Sequence, residues 1–82
     1  MNVMAHYRFN LHNSIGFVPD EEGRELAGLD EARAEAVKGV RSLVAEDALQ
    51  GCIDLRGKLE VVDEGGAIVL TVLFGDAVEV LS

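Results

Sequence analysis

Near the start of the chain, polar and apolar positions alternate. Tyr7, Phe9 and Leu11 fall on one side of an extended backbone, and His6, Arg8, Asn10 and His12 fall on the other. A period of two is the mark of a strand with one buried face, and it predicts β structure from Ala5 to His12. Asn13-Ser14-Ile15-Gly16 reads as a turn. Phe17-Val18 then reads as a short strand stopped by Pro19, whose nitrogen cannot donate to a ladder. Asp20-Glu21-Glu22-Gly23 forms a second tight turn, after which Arg24-Glu25-Leu26 continues as a very short strand.

Between Leu29 and Gly51 the period changes to about 3.6. Ala32, Ala36, Val40, Leu43 and Ala48, flanked by Val37 and Val44, make one stripe, while Glu31, Glu35, Lys38, Ser42 and Glu46 make the opposite one. This predicts an amphipathic helix. Asp30 is expected at the N-cap, where a carboxylate meets unpaired N–H groups, and Gly51 at the left-handed position that ends helices. Gly39 costs about 1 kcal/mol relative to Ala in mid-helix, so either another backbone comes close there, which is the favoured reading, or the glycine is simply tolerated.

Lys58 to Asp63 is expected as a strand with Leu59 and Val61 inward. Asp63-Glu64-Gly65-Gly66 supplies turn chemistry, and Ala67 to Phe74 completes a β-hairpin. Val78 and Val80 favour a last strand over a helical turn between Asp76 and Leu81. The expected fold is therefore α+β: a small antiparallel β-sheet in β-β-α-β-β order, with one amphipathic helix packed on one face. Ile68, Leu70, Val72 and Phe74 suffice for the face under the helix. Strict alternation then leaves Val69 and Leu73, with Val62 on the preceding strand, as apolar residues on the other face. A second hydrophobic sheet face calls for a cover, and self-association or a protein partner would supply it.

Composition narrows this picture. The chain has 82 residues, enough for one core, so a single domain is expected over 1–82 with its core from about 5 to 81. Fifteen acidic residues against seven basic ones give a formal charge of -8. The basic residues are scattered along the sequence, so nucleic acid and anionic membranes are disfavoured partners, and a basic protein partner is the easier electrostatic match. No run approaches the roughly 18 apolar residues needed to span a bilayer. Met1-Asn2-Val3-Met4 shows no leader pattern, and Cys52 is alone, so the cytoplasm is the expected compartment.

Candidate chemistry is sparse. His6 and His12 with Arg8 and Asn10 share the polar face of the first strand, but six residues of strand hold the histidines roughly 20 Å apart, too far for one metal shell. A solvated strand face is the simpler reading, with His6 or Arg8 touching a ligand or partner as the alternative. Cys52 lacks a marked base and reads as a small hydrophobe. Asp20, Glu21 and Glu22 lack the twelve-residue alternation of a calcium loop, and Gly65-Gly66 lacks the following helix of a phosphate loop. No catalytic, metal or cofactor-binding set is assigned.

Tyr7-Arg8-Phe9-Asn10-Leu11, Asp20-Glu21-Glu22-Gly23-Arg24-Glu25-Leu26, Leu29-Asp30-Glu31-Ala32-Arg33-Ala34-Glu35-Ala36, and Val61-Val62-Asp63-Glu64-Gly65-Gly66 leading to Val69-Leu70-Thr71 together resemble a known family. It is a family of short, mainly alphaproteobacterial proteins described as a domain of unknown function. The resemblance runs from Tyr7 to about Glu79. The chain departs from the family pattern at Asn10, where an acid or histidine is commoner. A looser similarity, through the helix opening Leu29-Asp30-Glu31-Ala32, is to the antitoxin of a toxin–antitoxin pair. Three functions follow as expectations: a non-enzymatic, homodimeric interaction module, an antitoxin-like inhibitor of a basic partner, or a small-molecule binder using the polar strand face.

Overall fold

A computed structural model describes residues 4–81; Met1-Asn2-Val3, with their want of a leader pattern, and Ser82 lie outside the described residues. The elements are β1 (Ala5–Asn13), β2 (Gly16–Val18), β3 (Arg24–Leu26), α1 (Leu29–Leu49), β4 (Lys58–Val62), β5 (Ile68–Leu73) and α2 (Phe74–Ala77). The five strands make one open antiparallel sheet in the order β2-β1-β4-β5, with β3 also paired to β1. The fold is α+β as expected. Arg24–Leu26 is a strand in its own right, so three strands rather than two precede the long helix.

α1 lies on one face of the sheet. Its contact strip, Ala32, Ala36, Val40 and Val44, is buried against Tyr7, Leu59, Val61, Val72 and Phe74. Ala32, Ala36, Val40 and Val61 are fully inaccessible, which places the centre of the core where small helix residues meet the two middle strands. Burial of such side chains, at about 25 cal/mol per Å² of apolar surface, is what holds a lone helix to a sheet. Ala48, expected on this strip, is exposed.

The helix ends correct one expectation. Gly28, not Asp30, occupies the N-cap, and Asp30 and Glu31 stand in the first turn, where their charges still face the positive end of the dipole. The Glu31 carboxylate accepts the Ala27 N–H at 2.9 Å. At the other end Gly51 takes φ +89 as expected. The Gly51 N–H bonds the Ala48 carbonyl and the Cys52 N–H bonds that of Asp47, the paired pattern of a Schellman stop. A Cβ on Gly39 would meet nothing within 4 Å, so no backbone approaches it.

Two further departures shape the surface. The ladder between β4 and β5 pairs Val61 with Leu70 but Val62 with Ile68, so Val69 is an extra residue in a β-bulge. The bulge reverses parity. Val69 packs against the core and Ile68, expected under the helix, turns to the opposite face, where it is 56% exposed. The segment from Asp76 to Leu81 does not form the favoured strand. Phe74 is buried and its N–H bonds the Gly57 carbonyl, while Arg41 Nε donates to the Ala77 carbonyl at 2.7 Å. These contacts fold the chain into α2 against α1, away from the sheet edge.

Candidate interaction surface

The registers assemble the face not covered by α1 row by row. One row reads Leu73, Lys58, His12, Phe17; the next reads Thr71, Glu60, Asn10; the third reads Ile68, Val62, Arg8. The middle of this face is polar. His12 Nε2 meets Glu60 Oε1 at 2.5 Å, Lys58 Nζ lies 3.7 Å from the other Glu60 oxygen, and the His12 ring rests on Phe17 with centroids 4.6 Å apart. Apolar residues gather at its β5 side, where Ile68, Leu73 (47% exposed) and half-buried Val62 surround Thr71. Of the three residues expected to form a second apolar face, Val62 and Leu73 lie there. Val69 does not, because of the bulge.

β5 is also the end of the sheet. No strand or side chain among the described residues hydrogen-bonds its outer edge. The strand Ile68-Val69-Leu70-Thr71-Val72-Leu73 carries no charge and no proline, the two devices that most often keep edges apart. Sequence pattern marked the apolar run but could not mark it as an edge, since edge position depends on which strands pair.

The polar candidates of β1 are not brought together. The backbone N–H of His6 donates to Glu64 Oε1 at 3.2 Å, and His6 and Arg8 share a recess with Glu25 and Glu64. His12 sits at the far end of the strand in the Glu60 network. Among the described residues no group of three His, Cys, Asp or Glu side chains stands close enough to share a metal ion.

Asp20 has a role that its place in an acidic turn did not announce. β2 and β3 occupy the two ends of one β1 edge, and Asp20 fills the gap between them. Its Oδ2 accepts the Phe9 N–H at 3.0 Å, its Oδ1 accepts the Gly23 N–H at 3.0 Å, and its own N–H donates to Asn10 Oδ1 at 2.8 Å. A side chain thus replaces the missing rung. Partial burial pushes this carboxyl up, but the bonds from the Gly23, Phe9 and Glu22 N–H groups and the nearby Arg24 outweigh it, leaving the pKa below its ordinary value. Arg24 also lies 5.3 Å from the Phe9 ring centroid and pairs with Glu35 of α1 at 2.8 Å.

A cleft of about 410 Å³ opens between the β1–β2 turn, the end of α1 and the loop before β4, with Leu11, Leu43 and Phe74 among its lining. On its rim Arg56 forks onto Asp54 through two bonds of 2.9 Å, which holds the Asp54 carboxyl far below the usual range. That guanidinium is thereby committed within the chain. Cys52 lines the same cleft and is exposed, and its N–H closes α1.

A family model described as a domain of unknown function, DUF6894, matches residues 6–75. No curated protein and no solved structure matches the chain.

Proposed function

The chain belongs to the DUF6894 family, and from that premise we propose that it is a non-enzymatic protein-interaction module that pairs with a second copy of itself through β5. The observation that carries this reading is the condition of that strand: unpaired at its outer edge, uncharged throughout, and flanked by exposed Ile68 and Leu73. Bare N–H and C=O groups are best satisfied by another strand, and antiparallel pairing about Thr71 would set Thr71 beside its twin and Leu70 opposite Val72. The absence of charge along β5 keeps the repulsion between two acidic molecules away from the contact. The sequence resemblance supports an alphaproteobacterial source, and a single cysteine is compatible with the reducing cytoplasm.

Light scattering after gel filtration tests the pairing. A dimer mass at high micromolar concentration, returning to a monomer mass in Thr71→Lys, is the expected result. A monomer mass for the unaltered chain at that concentration would refute it.

A further inference from the structure

α1 sorts its charges by side. Glu31, Glu35 and Glu46 share one stripe of the helix, and Glu35 pairs there with Arg24 of β3. Arg33 and Arg41 stand on the other flank, where Arg41 reaches α2, and Lys38 lies on the outward side between the two flanks; all three are exposed. The residues four positions away from these cations are Leu29, Val37, Ala34, Ser42 and Ala45; the carboxylates at helix-pair spacing are Asp30, three before Arg33, and Glu35, three before Lys38, and Glu35 is engaged by Arg24. Among the described residues none of the three forms an ion pair. Arg24, Arg56 and Lys58 do, and Arg8 shares its recess with Glu25 and Glu64. Three cations outside any ion pair, Arg41 with its Nε on the Ala77 carbonyl, therefore border one stretch of α1 surface with a single carboxylate, Asp30, in a chain with a formal charge of -8.

The same three residues border a shallow trough of about 620 Å³ whose floor includes Ala34, Val37 and Ala45, with Asp30 at its N-terminal end. Small floor residues allow another helix to approach within the usual 8–10 Å. We propose that this flank of α1 docks an acidic amphipathic helix of a different protein, with apolar residues on the Ala34–Val37–Ala45 floor and carboxylates against Arg33, Lys38 and Arg41.

A second copy does not fit this trough. Twofold pairing would bring the same flank against itself, cation to cation, and setting the acidic stripe of one α1 on the basic flank of another would be a head-to-tail contact that builds a ring or a filament and not the twofold pair formed through β5. A long phosphate backbone meets the repulsion of the whole molecule, whereas a short acidic helix meets the local positive field and the apolar floor together.

Selection from a display library of helical peptides of about 16 residues, four to five turns, tests the proposal on the full chain. The expected result is enrichment of sequences with apolar residues at helical spacing flanked by Asp and Glu. Their capture should weaken at least about tenfold on Arg33→Glu/Lys38→Glu and stay within about twofold on the opposite-flank control Glu46→Lys. Failure to enrich, enrichment without carboxylates, binding that survives the double reversal, or tighter capture of a single-stranded RNA of equal charge by the same cations would each overturn it. Running the selection also on Thr71→Lys separates this outcome from that of β5 pairing.

Discussion

On the outer side of β1, two three-residue strands share one edge and Asp20 bridges the gap between them; on the outer side of β5, six residues run with no partner. The first edge is completed from within the chain by polar groups with fixed geometry. The second is left to whatever strand it meets. The contrast teaches that satisfaction of the backbone is local here, since a single well-placed carboxylate can stand in for a strand, and that an edge without such a device invites association.

The strongest way to break the closed edge is Gly23→Ala. Gly23 has φ +66, and a Cβ there would lie 2.5 Å from the Tyr7 carbonyl oxygen, inside the β1–β3 pairing. A loss of about 3 kcal/mol in urea unfolding is expected from the combined strain and clash. A loss under about 1 kcal/mol would show that this edge is looser than its geometry implies.

Asp20→Ala comes next, at about 2 kcal/mol, because it orphans the Phe9 and Gly23 N–H groups. The pH dependence has a definite sign. The folded carboxyl titrates below its unfolded value of about 3.9, so its contribution is complete above that pH and is lost as pH falls through the folded value. The difference between the unaltered chain and Asp20→Ala should therefore narrow on acidification; a constant difference would mean that the charge of Asp20 has no part in closing the edge.

The open edge should respond in the opposite sense. Thr71 is exposed, so Thr71→Lys is expected to change unfolding stability by no more than about 0.5 kcal/mol while suppressing association. A large destabilisation would reveal that β5 contributes to the fold through its edge.

Much of this architecture was legible in residue order. Alternation from Tyr7 to Leu11, the Ala32–Ala36–Val40 stripe and the glycine turn before β5 all express local periodicity, and local periodicity survives folding. Parity in β5 was not legible, because a bulge is settled by the match between two strands and leaves no mark on either. The helix cap was misassigned for a related reason: the dipole rewards Asp30 anywhere in the first turn, so the residue type does not separate cap from turn. α2 depends on Phe74 finding a buried place and on a bond from Arg41, 36 residues away from Ala77. Of the surface, strand alternation places Val62 and Leu73, whereas apolar periodicity is blind to the basic residues of α1. A helical projection that separated sign of charge, and not only polarity, would have found Arg33, Lys38 and Arg41.

The Asp20 bridge also equips the molecule with an indicator. The Phe9 amide proton, in the middle of the longest strand, is held by a titrating side chain and not by a neighbouring carbonyl. Its NMR resonance should therefore follow the ionisation of that one carboxylate, and its exchange with solvent deuterium should report opening of that edge separately from unfolding of the whole domain. A single backbone position thus offers a label-free gauge of local breathing, read at atomic resolution and calibrated by pH.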